Sequence, residues 1–183
     1  MNLLDNIYGV LFKPKDIFYN FFTRSNFIGS FVIITFLSII NTFSLDIAGF
    51  LVPMGMSFTF LLNLVIWLSL SFILTFTSDI LKGEGKISDT MTAVAYSSLP
   101  LIFIHPLNAL SFTFGLEFMN SIFTPLIYLW SLALLVISLK YAHKYDLGKS
   151  VLSILGILSF LIFSITAIVI FVIFGAVLIS SSF

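Results

Sequence analysis

The chain has 183 residues, 60% of them hydrophobic and only 9% charged, with eight Lys and Arg set against eight Asp and Glu. A soluble domain carries roughly 25% charged residues, so a wholly water-facing surface is excluded and lipid is the solvent for much of this chain, whose mean hydropathy is +1.18. The zero net charge excludes the basic excess of a nucleic-acid binder, and the absence of Cys excludes disulfides, thiolate metal sites and a cysteine nucleophile.

Residues 1–26 predict a cytoplasmic, interfacial amphipathic segment rather than a span. Leu3, Leu4, Ile7, Tyr8 and Leu11 recur at helical spacing opposite Asp5, Asn6 and Gly9. Pro14 suits the first turn of a second short helix, where its missing N–H would have no partner in any case. In that helix Ile17, Phe18, Phe21 and Phe22 form one face, with Lys15, Asp16, Asn20, Thr23 and Arg24 on the other. Two placements follow. The pair lies in the headgroup layer with its phenylalanines down, or it packs on the protein's own cytoplasmic ends. The late position of Lys13, Lys15 and Arg24, with no short apolar core and cleavage site behind them, is not that of a secretory signal.

Residues 27–183 read as one five-span domain. The first span covers about 27–45 without a charge, enough at ~1.5 Å per residue to cross roughly 30 Å of hydrocarbon. Asp46 to Gly55, with Gly49 and Pro53, reads as a loop. A second span covers about 56–78 and contains Asn63 and Trp67. Asp79 to Asp89 is a solvated, glycine-containing loop, with Ser88 or Asp89 as the cap of the next helix. Its Gly83-Glu-Gly-Lys86 run lacks the full phosphate-loop pattern.

The third span, about 91–114, contains Pro100 and Pro106. Proline removes a backbone hydrogen bond and clashes with the preceding turn, and lipid cannot satisfy the freed carbonyls. This helix is therefore expected to be kinked or interrupted, and to face protein at the break. Gly115 to Asn120 makes a short loop, and the fourth span covers about 121–139 with Pro125 and Trp130. Lys140 to Lys149 is a polar connection ahead of a fifth span at about 150–179, long enough that it must tilt or begin at the interface. The many phenylalanines, 23 in all, are taken as lipid-facing side chains rather than an aromatic binding device.

The positive-inside rule orients this layout. Lys13, Lys15 and Arg24 precede the first span, Lys82 and Lys86 separate the second from the third, and Lys140, Lys144 and Lys149 separate the fourth from the fifth. With five crossings all eight basic residues share one side, and Asp46 and Glu117 lie on the other. The expected fold class is an all-α, polytopic membrane bundle of about five transmembrane helices. Its N-terminus is inside, its C-terminus outside, and short amphipathic helices lead into it.

Candidates for chemistry are sparse. His105 is the titratable residue expected within the hydrocarbon, roughly 21 Å in from Met91 at ~1.5 Å per residue. It is either a proton-sensing or substrate-contacting imidazole, or a neutral ring bonded to a carbonyl that proline frees; the second is preferred. His143 falls in the basic connection with no second ligand near it in sequence. No HExxH, GxSxG or paired intramembrane aspartates occur, and no catalytic residue, cofactor or metal is expected. Asn41, Asn63 and Asn108 read as interhelical hydrogen-bonding groups. Tyr96, Ser97 and Ser98 either line a small polar seam or satisfy backbone around Pro100.

Several stretches together resemble the Yip1-domain membrane proteins, particularly the short prokaryotic members. Phe12-Lys-Pro14-Lys-Asp-Ile-Phe18 is similar to the family's proline followed by an aromatic-rich amphipathic stretch. Leu81 to Ser88, with Gly83, resembles its glycine-containing cytoplasmic loop, and Ala95-Tyr96-Ser97-Ser98-Leu99-Pro100 its Tyr-Ser-x-x-Pro at the head of the third helix. Trp130 and the lysine-rich connection before the fifth span resemble the usual ending. The resemblance implies a five-helix bundle with a cytoplasmic N-terminus and brings no catalytic residues with it. Eukaryotic relatives are associated with Rab GTPases and vesicle traffic. This sequence departs from them in lacking their long polar N-terminal region and its Asp-Leu-x-Gly-Pro-type motif, so the resemblance does not carry that partner over.

The leading expectation is a non-enzymatic membrane-organising protein that engages partners or lipids, above all anionic headgroups, at its inner face. Among protein partners a second copy of the chain is the one considered, and for a prokaryotic chain the plasma membrane is the expected location. The alternative is a small transporter or channel that uses the third-helix break as its site. That alternative requires a continuous polar cavity around Pro100, Tyr96 and His105.

Overall fold

In the computed structural model the described residues are 3–22, 27–43 and 51–180. Arg24 and Asp46 lie outside them. The described chain is helical with no strand. Two short helices, α1 (Leu3–Phe12) and α2 (Pro14–Phe21), precede α3 (Phe27–Phe43), α4 (Leu51–Ile80) and α5 (Ile87–Ser97). A 3₁₀ turn at Leu99–Phe103 follows, then α6 (Ile104–Phe114), α7 (Glu117–His143) and α8 (Leu147–Ser180). Three helical stretches, Pro53–Ile80, Ile87–Phe114 and Glu117–His143, are long and apolar enough to cross a membrane, and Phe27–Thr42 and Leu147–Phe160 are shorter apolar helices. These five segments fall on the five predicted spans.

Several predicted boundaries change. Residues 51–55, expected in a loop, open α4. Pro53 sits in the first turn, where an N–H has no intrahelical acceptor to lose. Glu117 to Asn120 and Lys140 to His143 are helix rather than loop, so α7 has 27 residues. At ~1.5 Å per residue that is about 40 Å, longer than the hydrocarbon layer, so its polar ends continue helically beyond it. Glu117 in the first turn and Lys140 in the last both complement the helix dipole. The cap of α5 is Lys86 rather than Ser88 or Asp89. Asp89 sits in the first turn and accepts the Lys86 backbone N–H at 3.0 Å.

The N-terminal helices divide between the two expected placements. The face of α1 turned inward carries Asn6, Gly9 and Val10, while Leu4, Tyr8 and Phe12 form an exposed row. The reason is steric. A Cβ on Gly9 would overlap the Ile17 side chain, so α1 packs on α2 through its glycine. In α2, Ile17, Phe18 and Phe21 are buried as predicted. They are buried in the protein, with Phe21 4.6 Å from the Tyr96 ring and Tyr19 6.3 Å from Tyr141.

The core is organised around α5. From Thr90 to Ser97 every residue but Met91 is buried, and its small Thr90, Thr92, Ala93, Ala95 and Ser97 let neighbouring helices approach closely. Phe58, Leu61, Val65, Phe72 and Phe76 of α4 point outward. So broad an apolar exterior is what lipid, not water, solvates. Hydroxyls along the helices bond to the carbonyl four residues back, as Ser38 does to Ile34, Thr42 to Ser38 and Thr59 to Gly55, and need no water to do so.

α8 joins the bundle through its first turns. Gly156 rests against Thr77, Thr77 Oγ1 donates to the Ser153 carbonyl at 3.1 Å, and the Ser78 and Ser153 hydroxyls meet at 2.9 Å. Gly156→Leu should wedge α8 from α4 and destabilise the protein by about 1–3 kcal/mol. A thermal-unfolding midpoint in detergent unchanged from the parent would contradict this packing.

Candidate functional site

Two polar regions stand out, one at the third-helix break and one at the end of the bundle where lysines gather. At the break, Pro100 has no N–H to offer the Tyr96 carbonyl four residues back or the Ser97 carbonyl three residues back. The chain tightens into a 3₁₀ turn in which Leu101 N–H donates to the Ser98 carbonyl at 3.0 Å. The Ser97 carbonyl is then met from α7, whose Ser131 Oγ donates to it at 2.8 Å. Trp130, the preceding residue, stacks on Phe103 of the turn with ring centroids 6.0 Å apart. Ser97 and Ser98 both donate to the Val94 carbonyl. Tyr96 and Pro100 are buried. The break is therefore an expected feature that another helix supports. Pro106 contributes no kink of its own, because it falls in the first turn of α6.

His105 is brought to Asn41 of α3, its Nε2 lying 2.7 Å from Asn41 Oδ1. An amide oxygen only accepts, so the ring donates from Nε2. One partner of His105 is thus an amide from another helix. The two residues border a cavity of about 330 Å³ that also reaches Asn63, Ser98 and Tyr128. Asn63 Nδ2 donates within its own helix to the Thr59 carbonyl at 2.9 Å, so the interhelical role expected of it is not made. Tyr96 and Pro100 do not line the cavity, so the polar line required by a transporter stops at His105.

The lysine-rich end is held by a buried cluster. His143, expected in a loop, is the last residue of α7 and is 1% exposed. Its Nε2 lies 2.9 Å from Thr90 Oγ1, and Thr75 Oγ1 donates to the same Thr90 oxygen at 2.9 Å. Tyr145 stacks on the imidazole with ring centroids 5.5 Å apart and meets the Ser78 hydroxyl at 3.0 Å. The cluster thus joins α4, α5 and α7, and Ser78 extends it to Ser153 of α8.

Gly83 and Gly85 explain the glycine-containing loop. A Cβ at Gly83 would stand 2.9 Å from His143 Cβ, and one at Gly85 would stand 2.8 Å from Nδ1 and collide with the Ala142 carbonyl oxygen. Only bare glycine lets the loop lie over the end of α7, where Glu84 N–H donates to the His143 carbonyl at 3.1 Å. His143 Nδ1 is buried there without a hydrogen-bond partner. With the proton on Nε2, that orphan is a bare acceptor rather than an unmet N–H. Glu84 also pairs with Lys144 at 3.3 Å across an exposed surface.

Around this cluster stand most of the predicted basic residues. Lys82 and Lys86 flank the glycine loop, Lys140 and Lys144 close α7, and Lys149 opens α8. Lys13 and Lys15 are exposed beside Phe12 and the half-buried Pro14, on helices packed against α7 through Tyr19 and Tyr141. Lys82 and Lys144 have positive φ, 62° and 53°, a conformation that costs a non-glycine residue about 1 kcal/mol. Each closes a helix C-terminus, where a cation is favoured. Among the described residues no group of three His, Asp or Glu stands together to hold a metal.

Sequence reasoning did not find His143, Thr90, Tyr145 or Ser131. One signal was there. Ser71, Thr75 and Ser78 recur along one side of α4, a polar stripe inside an apolar helix. Gly85→Val should lift the loop from α7 and make residues 81–86 exchange amide hydrogens or be cleaved at least tenfold faster. Equal protection in the variant would show that the glycines are not what seats the loop.

The Yip1 domain model matches residues 8–180 of this sequence. No curated protein and no solved structure matches it. The match covers nearly the whole chain, which therefore belongs to the Yip1 domain family and is an integral membrane protein.

Proposed function

From that membership we propose a five-span, non-enzymatic membrane protein, of the plasma membrane if the chain is prokaryotic, with its N-terminus and basic end inside and its C-terminus outside. It organises anionic lipid, and partners that carry the same charge, at its inner face. Residues 1–26 form the interfacial entry segment and 27–183 the spanning domain. The observation that carries this reading is the convergence of α2, the glycine loop and the end of α7 on one polar end, through Tyr19 and Tyr141 and through Glu84 and His143. Each segment brings lysine with it: Lys13, Lys15, Lys82, Lys86, Lys140 and Lys144.

Three features support it. Headgroup attraction of about 1 kcal/mol per surface Lys or Arg draws anionic lipid to such an end. Leu4, Tyr8 and Phe12 lie outward in a row next to Lys13 and Lys15, the pairing of apolar side chain and cation that seats a helix at a headgroup layer. Lys82 and Lys144 occupy backbone conformations in which glycine would be less strained. The hydroxyls around His143 are spent on one another and on its Nε2, as expected of a scaffold for these loops. The transporter reading is less favoured, because Tyr96 and Pro100 are buried away from the cavity at His105.

Replacing Lys82, Lys86, Lys140 and Lys144 together by Glu should reduce the anionic phospholipid retained on gentle solubilisation to its proportion in the membrane. Roughly fivefold is expected per cation at about 1 kcal/mol each, and unchanged retention would sink the proposal. The orientation is tested separately. The chain has no Cys, so single cysteines at Lys82 and Lys144 should react with an impermeant maleimide from the cytoplasmic side only. A cysteine at Glu117 should react from the other side; labelling of all three from one side would refute the five-span layout.

A further inference from the structure

The cavity beside the broken helix has a floor, a mouth and a polar lining. Trp67, Val94 and Leu37, only 3%, 4% and 6% exposed, form the floor. Ile66 and Tyr128, 54% and 56% exposed, stand at the mouth on the outer surface of α4 and α7. That surface is apolar, with Leu62, Val65 and Leu129 exposed near the mouth residues in sequence. The cavity therefore opens sideways toward lipid, and a ligand reaches it from the bilayer. Its volume of about 330 Å³ lies at the lower end of the range for small-molecule sites, about 300–1,000 Å³.

The hydrogen-bonding inventory defines the ligand's head. Asn41 turns its Oδ1 to His105, which leaves the Asn41 Nδ2 amide as a donor. Asn63 uses Nδ2 on the Thr59 carbonyl, which leaves its Oδ1 as an acceptor. Ser98 gives its proton to the Val94 carbonyl and keeps lone pairs, and the half-exposed Tyr128 is among the lining residues. Among the described residues no Asp, Glu, Lys or Arg lines the cavity, so there a charged head would be buried without a counter-ion, which is costly. The remaining wall, including Ile34, Leu70, Leu101 and Ile104, is aliphatic.

We infer that this cavity is a lateral binding site for an uncharged single-chain amphiphile whose hydroxyl head both donates and accepts hydrogen bonds. The head takes the Asn41 amide as donor and the Asn63 carbonyl as acceptor, and the chain lies along the aliphatic wall toward the mouth. A sealed floor makes it a holding site and not a conduit. It stands independently of the lipid binding proposed for the basic end.

The test is photolabelling of the full-length protein in nanodiscs with a diazirine-bearing long-chain alcohol. Matched phosphatidylcholine and fatty-acid probes serve as references. The alcohol should label peptides that contain the cavity wall at least tenfold above either reference, and unlabelled monoacylglycerol should displace it. Asn41→Leu with Asn63→Leu should abolish that excess while labelling of the outer face of α8 persists. Leu101→Trp, which fills the cavity while both Asn side chains are kept, should abolish it as well and decides the matter if the double variant fails to fold. Equal labelling by all probes, or labelling indifferent to both variants, would mean that the cavity holds only bulk lipid or water and would overturn the inference.

Discussion

Every backbone carbonyl at membrane depth must find a donor inside the protein, and Pro100 withdraws one from the helix that sits at the centre of this bundle. The structure answers with a 3₁₀ turn and with the Ser131 hydroxyl, which reaches across from α7 to the Ser97 carbonyl. In water such a carbonyl would simply be hydrated. Here the repair couples two helices, and Trp130 packs on Phe103 to hold the same pair together. The rest of the arrangement follows. With the 3₁₀ turn at Leu99–Phe103 between them, α5 is central and tightly packed while α6 packs on α7, and the cavity at His105 lies beside that turn.

The two halves of the molecule treat polar groups differently. Near the lysine-rich end, hydroxyls and imidazole meet one another across α4, α5, α7 and α8, and each extra bond adds to the rigidity of loops that carry charge. Around His105, by contrast, amides line a cavity. A hydrogen bond between buried neutral groups contributes about 1 kcal/mol net. The closed cluster is therefore a modest stabiliser with a large geometric effect, placing the glycine loop over the end of α7 within van der Waals contact.

How far this was legible in the sequence differs from feature to feature. The break at Pro100, the helix start at Pro14 and the apolar segments were readable because each follows from a local rule about one residue or one run. The inward face of α1 was not. Periodicity marked Leu4 and Tyr8 as part of one apolar face without saying what it meets, and Gly9 made the opposite face the one that could approach Ile17 closely. The apolar row still faces an apolar medium, so hydrophobicity alone does not tell a lipid-facing side from a protein-facing side. His143 was missed for a related reason. A histidine next to lysines reads as solvated, and only the glycines folded over it make it buried.

What the amino-acid sequence determined by itself was the solvent: few charges, long apolar runs, lysines confined to a few connections, and a central helix that must break. Lipid imposes those demands residue by residue, so they are written locally. Tertiary structure alone decided which hydroxyls cross between helices, which reach only their own fourth carbonyl back, and where space is left between them. A Ser or Thr in a helix can satisfy itself either way. The choice depends on how two helices are rotated against each other, and no single segment contains that information.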